Sequence, residues 1–161
     1  YQLEDENDNI VEAYNEIIKP TIHNKLTRRT LKFLELNQND VDKGIPFKEF
    51  YTHFAEVVDK YKPAILVWGR NDFLALREAY KINKLPSLRG KTRYINLLKL
   101  HKNVFNLKND LGLFNALKLY NGEDVPQTHC ALEDAQATAT IFKGFRDVVD
   151  GLSTVDTSQY K

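Results

Sequence analysis

The chain has 161 residues, 42% of them hydrophobic and 28% charged, with a formal net charge of +1. That length supports one domain with a real core, and the charge balance excludes a generally basic nucleic-acid binder, so any such binding must use local patches. A single cysteine excludes an internal disulfide framework and fits a reducing, cytoplasmic setting. No apolar run approaches a membrane span, and no signal peptide is visible. The chain begins at Tyr1 and holds no methionine, as expected of a sequence that has lost its natural N-terminus.

Tyr1 to Leu3 reads as the end of a strand, and the acidic stretch Glu4 to Asn9 as a turn. Ile10 to Ile18 follows as the second strand of a hairpin, with Val11, Ala13 and Ile17 on one face and Ile10, Tyr14 and Ile18 on the other. Pro20 ends it. Leu31 and Leu34 suggest a short helix from Thr27 to about Leu36, given a basic side by Arg28, Arg29 and Lys32. Pro46 suits the first position of a helix. Beyond it Phe47, Phe50, Tyr51, Phe54, Val57, Val58 and Tyr61 keep helical spacing, as core residues rather than a base-stacking platform.

The run Ala64-Ile65-Leu66-Val67-Trp68 reads as a strand covered on both faces. Gly69-Arg70-Asn71 breaks it, and Phe73, Leu76 and Tyr80 carry a helix from Asp72 to about Ile82. Pro86 to Lys91 is a basic loop. A brief strand around Arg93 to Ile95 leads into a helix from about Leu97. Leu107, Leu111, Phe114, Leu117 and Tyr120 mark another helix, stopped by Asn121-Gly122. The last helix follows His129 and runs to about Phe145. Its Ala131, Ala135, Thr138, Phe142 and Phe145 form one packing face while Asp134 points elsewhere. Residues 1–150 thus form an α/β domain with a mixed sheet, and the polar residues 151–161 form a tail expected to fray.

Two acids stand at helix starts. Asp72 follows the strand directly, where ligand sites of open α/β sheets gather, and the helix dipole there favours an ionised, metal-binding carboxylate. The plain alternative is that Asp72 caps its helix with Asn71. Asp134 poses the same question, since an acid in a first turn is ordinary helix chemistry. His129 taken alone is more often a hydrogen-bonded histidine than a catalyst, and Glu133 is solvated. His23, His53 and His101 lack partners at metal-ligand spacing, and Cys130 lacks a second thiol for zinc. No glycine-rich phosphate loop or nucleophile elbow is present.

Together these stretches resemble the DEDDh (DnaQ-like) 3′–5′ exonuclease family, which has an RNase H-like fold. His129-Cys130-Ala131-Leu132-Glu133-Asp134-Ala135 is similar to the family's third motif, and Val67-Trp68-Gly69-Arg70-Asn71-Asp72-Phe73 to its second, in the form found in the branch that trims RNA ends. Leu107 to Gly122 and Asp40 to Phe54 are similar to segments elsewhere in the family. The family's first motif, Asp-x-Glu on the opening strand, is not in the chain: Glu4-Asp5-Glu6 follows no apolar strand and falls at the hairpin turn. The expected fold is therefore an RNase H-like mixed sheet flanked by helices, its first strand absent from this sequence.

The resemblance implies two Mg²⁺ or Mn²⁺ ions, which suit carboxylate ligands, bound at the 3′ end of single-stranded DNA or RNA. It gives Asp134 and Asp72 as metal ligands and His129 as the base that takes a proton from water, with nucleoside 5′-monophosphates as products. Arg28, Arg29 and Lys32, and Arg89, Lys91 and Arg93, are two candidate contacts for the substrate backbone; the plain alternative for each is solvated surface, as charge clusters usually are. A homodimer is compatible with the sequence. The alternative from a different class is a catalytically inactive nuclease-like module that binds nucleic acid or protein.

Overall fold

The computed structural model describes residues 1–126 and 130–161, with Arg89 as backbone only. They divide into two compact units, one of Tyr1–Tyr14, Leu66–Arg70 and Asn96–Lys161, the other of Asn15–Ile65 and Asn71–Ile95. Strands pair in twos, both antiparallel and parallel, and alternate with helices, so the layout is α/β as expected.

In the first unit, β1 (Gln2–Glu4) and β2 (Ile10–Ala13) form an antiparallel hairpin with an irregularity between Leu3 and Glu4. Its turn is held by Asp5, whose carboxylate accepts from the backbone N–H groups of Asn7 and Asn9 at 2.9 Å. The expected strand from Ile10 to Ile18 stops at Ala13, and its alternation does not give a buried face: Ile10 and Val11 are exposed. The core of this unit lies among α5 (Leu97–Phe105), α6 (Leu113–Asn121) and α7 (Ala131–Val149), where Leu97, Leu107, Leu111, Ala116, Leu117, Ala137, Ile141 and Phe145 pack together.

Leu107 and Leu111 are buried as their spacing suggests, yet they precede α6 instead of belonging to it. Asn106, in the left-handed conformation at φ 53°, ends α5. The irregular backbone that follows is satisfied tertiarily. Leu107 N–H donates to Lys102 C=O, Lys108 N–H to Tyr160 C=O, and the Trp68 indole N–H to Leu111 C=O, all at 3.0 Å. The tail expected to fray is held in the same way. Thr157 is buried, and Tyr160, in a 3-10 turn at Ser158–Tyr160, packs against the core.

In the second unit, β3 (Ile18–Lys19) is a separate strand, parallel to β4 (Ile45–Pro46). Gly44 makes this pairing possible, because a Cβ there would stand 2.6 Å from the Ile17 carbonyl oxygen. Two short helices precede β4. Thr27 caps α1 (Arg28–Phe33), and a reciprocal box between Asn37 and Asp40 caps α2 (Gln38–Lys43), an element the sequence reading missed. Pro46 proves to be the residue just before α3 (Phe47–Tyr61), not its first, and α3 buries Phe47, Phe54, Val57 and Val58 as its spacing requires. α4 (Asn71–Ile82) buries Tyr80, which meets the rings of Phe47 and Tyr51 at centroid distances of 6.0 and 5.6 Å. β5 (Ala64–Val67) and β6 (Arg93–Asn96), whose last residues are assigned to the first unit, pair with each other. β5 is less covered than expected, with Ala64 exposed and the next three residues half-buried.

Candidate active site

α7 begins after Cys130, which has extended backbone and makes no side-chain cap, so its first turn depends on acids at the positive end of the dipole. Glu133 is exposed, as expected. Asp134 is not turned away from the packing face. The helix buries Ala137, Thr138, Ile141 and Phe145, and Asp134 lies one turn before Thr138 at the head of that stripe. It is half-buried, and its Oδ1 is buried outright. The backbone around it is fixed: its N–H donates to Cys130 C=O at 3.0 Å, and its C=O accepts from the Thr138 hydroxyl at 2.8 Å. Of the predicted face, Thr138 and Phe145 are buried and Phe142 packs partly buried against the core, whereas Ala135 is half-buried and Ala131 exposed.

α7 is itself held tightly. A Cβ at Gly144 would come within 2.4 Å of the Tyr120 ring, so α6 reaches α7 only because that position has no side chain. Lys143 donates to Glu4 at 3.0 Å, and Arg146 binds Asp8 through two hydrogen bonds of 3.2 and 2.6 Å. The Arg146 guanidinium holds the Asp8 carboxyl below the usual carboxylate range. Glu4, Asp5 and Asp8 therefore serve the hairpin turn and its attachment to α7. The sequence carries no sign of these pairs, whose members lie more than 130 residues apart.

Asp72 is the second residue of α4, inside the first turn, and so does not occupy the capping position. It is exposed. The turn leading to it needs Gly69, whose φ of +94° a side chain would strain. Asp72 and Asp134 belong to different units, and each is placed within its own. His129 lies outside the described residues. Farther along α4, Phe73, Leu76, Arg77, Tyr80, Ser87 and Tyr94 line a cavity of about 190 Å³ whose walls are mostly apolar.

The two carboxylates fit a hard divalent cation in donor type. Among the described residues no three His, Cys, Asp or Glu side chains converge. Of the two basic clusters, one is partly neutralised, since Lys91 pairs with Asp59 at 2.8 Å.

The exonuclease (RNase_T) family profile matches residues 3–142. The chain belongs to this family. It is 30% identical over 137 residues to "Probable 3'-5' exonuclease KapD" of Bacillus subtilis (strain 168), an alignment covering 84% of this chain and 66% of that protein. The chain thus spans just under two thirds of the length of this curated relative. Among solved structures it is similar to a 3′-exonuclease described for 3′-end specific recognition of a histone mRNA stem-loop, at TM-score 0.75 and 21% identity, covering 89% of this chain and 67% of the other. It is also similar to the nuclease domain of 3'hExo, a DEDDh family member bound to rAMP, at TM-score 0.65 and 21% identity over 86% and 73%. These likenesses show the RNase H-like exonuclease fold, and the DEDDh resemblance seen at residues 67–73 and 129–135 is borne out. Exonucleases of this family generally use divalent metal ions.

Proposed function

We propose that this protein is a divalent-metal-dependent 3′–5′ exonuclease that shortens single-stranded DNA or RNA from its 3′ end and releases nucleoside 5′-monophosphates. The observation that carries the reading is Asp134, a carboxylate with a buried oxygen at the start of α7, inside the stretch matched by the exonuclease family. RNA as well as DNA is proposed because solved relatives are described with a histone mRNA stem-loop and with rAMP.

Asp134 would complete a site for two Mg²⁺ or Mn²⁺ ions, and Asp72 would support the second of them. Bound divalent cations supply Lewis-acid stabilisation of the negative charge that develops on a phosphodiester during displacement. The protein's own contribution is to fix the carboxylates. The packing of α7 holds Asp134 in one place, and the turn at Gly69 sets Asp72 at the start of α4. His129, directly before α7 in sequence, would take the proton of the attacking water, a task matched to an imidazole titrating near neutrality. Cytoplasmic residence is proposed on the single cysteine.

The test is a 5′-labelled single-stranded oligonucleotide incubated with the intact protein and Mn²⁺. A ladder shortening from the 3′ end, with mononucleotide products and arrest by chelator, is the expected result. His129→Ala should slow it on the order of 10²-fold while leaving the rise in Tm caused by Mn²⁺ unchanged. No Mn²⁺-dependent shortening would point instead to a catalytically inactive binding module.

A further inference from the structure

α1 puts Arg28, Arg29 and Lys32 on one continuous side, three and four residues apart, and all three are exposed. This arrangement works against the helix itself. Arg28 and Arg29 occupy its first two positions, where the dipole disfavours positive charge, and Arg28 faces a like charge one turn on at Lys32. Among the described residues none of the three forms an ion pair.

Acids stand close by in sequence, but they are engaged elsewhere. Asp40 is held in the capping box of α2, where its carboxylate accepts from Asn37 N–H at 2.9 Å. Asp42 accepts from Gln38 at 2.9 Å and from Lys25 at 3.4 Å. Glu35 follows the helix in a left-handed conformation, φ 54°, and forms no ion pair with the three cations. Cations elsewhere do find acids, as in the pairs Lys91–Asp59, Lys102–Asp110 and Lys118–Asp124. Phe33 is 57% exposed at the end of the same helix, an aromatic ring beside the charges.

We infer that the Arg28–Arg29–Lys32 side of α1 is a contact surface for the phosphate backbone of a single nucleic acid strand, whereas Lys91, already paired with Asp59, is not. The inference rests on the nuclease reading for the class of polyanion. It separates α1 from Lys91, because Asp59 already neutralises Lys91 and, among the described residues, no acid pairs with the three cations of α1.

The experiment is equilibrium binding of a fluorescent single-stranded oligonucleotide with non-hydrolysable 3′ linkages, without divalent metal, across a KCl series. For single strands the slope of log K against log salt is about 0.7 per phosphate neutralised. The triple variant Arg28→Gln, Arg29→Gln, Lys32→Gln should therefore flatten the slope by about 2 and weaken binding at least roughly 10-fold at 0.1 M salt. Lys91→Gln should leave the slope as it is, and so should Lys118→Gln, which removes a paired cation. An unchanged slope and affinity in the triple variant, with Tm also unchanged, overturns this inference and leaves the nuclease reading standing. No oligonucleotide binding by the wild type overturns both. Loss of binding to phosphatidylserine vesicles in the triple variant, with oligonucleotide binding intact, overturns the inference in favour of a membrane surface.

Discussion

The start of α7 and the start of α4 look alike in sequence, each an acid in the first turn of a helix after a short break. They differ in what the helix does next. α7 runs for 19 residues, buries four side chains on one stripe, and places Asp134 at the head of that stripe with an oxygen out of solvent. α4 runs for 12 residues, buries only Tyr80, and leaves Asp72 exposed. An acid at a helix start is thus ordinary or costly according to its tertiary setting. The Asp134 oxygen is shielded from water, and the Asp72 carboxylate is screened by it.

That contrast is open to direct attack. Asp134→Ala should lower the rate of 3′ shortening on the order of 10³-fold or more, since a charge acting from a desolvated position is worth several kcal/mol. Asp72→Ala should cost less, on the order of 10- to 100-fold, because water screens an exposed carboxylate. Single-turnover rates with saturating Mn²⁺ would measure both. Equal losses would remove burial as the distinction between the two positions.

The closed character of the first unit makes a second prediction. His101 is fully buried against the rings of Trp68, Phe105, Tyr120 and Phe145, and neither ring nitrogen has a hydrogen-bond partner among the described residues. Burial alone pushes its imidazole down from 6.5 to about 4. Because the folded value lies below the unfolded one, the contribution is fully present above about pH 6.5 and is lost as pH falls towards 4. Between pH 7 and 4.5 the wild type should lose about 2–3 kcal/mol more stability than His101→Phe, which carries no proton. Urea unfolding at the two pH values measures the difference, and parallel losses would show that His101 is not held neutral by burial.

A smaller effect tests the contact between α6 and α7. Alanine normally favours a helix interior over glycine by about 1 kcal/mol. At Gly144 the new methyl would meet the Tyr120 ring, whose near atoms cannot swing aside, and overpacking costs about 1–3 kcal/mol. Gly144→Ala should therefore lower Tm, whereas the same change at exposed Gly90, where a Cβ meets nothing, should not.

Much of this molecule was legible in the chain. The aromatic spacing after Pro46 specified α3, and Gly69 with Gly122 marked the turns that need a left-handed backbone. The stretches 67–73 and 129–135 by themselves point to the exonuclease family. The errors have a common origin. Leu107 and Leu111 kept helical spacing because both enter the core, but Leu107 N–H donates to Lys102 and Leu111 C=O accepts from Trp68 instead of from a helix. Ile10 to Ile18 alternated like one strand, yet Ile18 pairs with Ile45 and Ala13 with Gln2. Periodicity reports which side chains are apolar, and it cannot name the groups that will receive the backbone hydrogen bonds.

By itself the sequence determined the family, the α/β class and the residue types at the candidate site, because these depend on local spacing and on motifs only a few residues long. Tertiary structure alone decided that Asp134 heads a buried stripe, that Arg146 reaches back to Asp8, that the last residues dock, and that α1 keeps its charges while Lys91 spends its own on Asp59. Each of those outcomes turns on a partner far away in the chain, and desolvation and charge pairing are properties of the partner as much as of the residue.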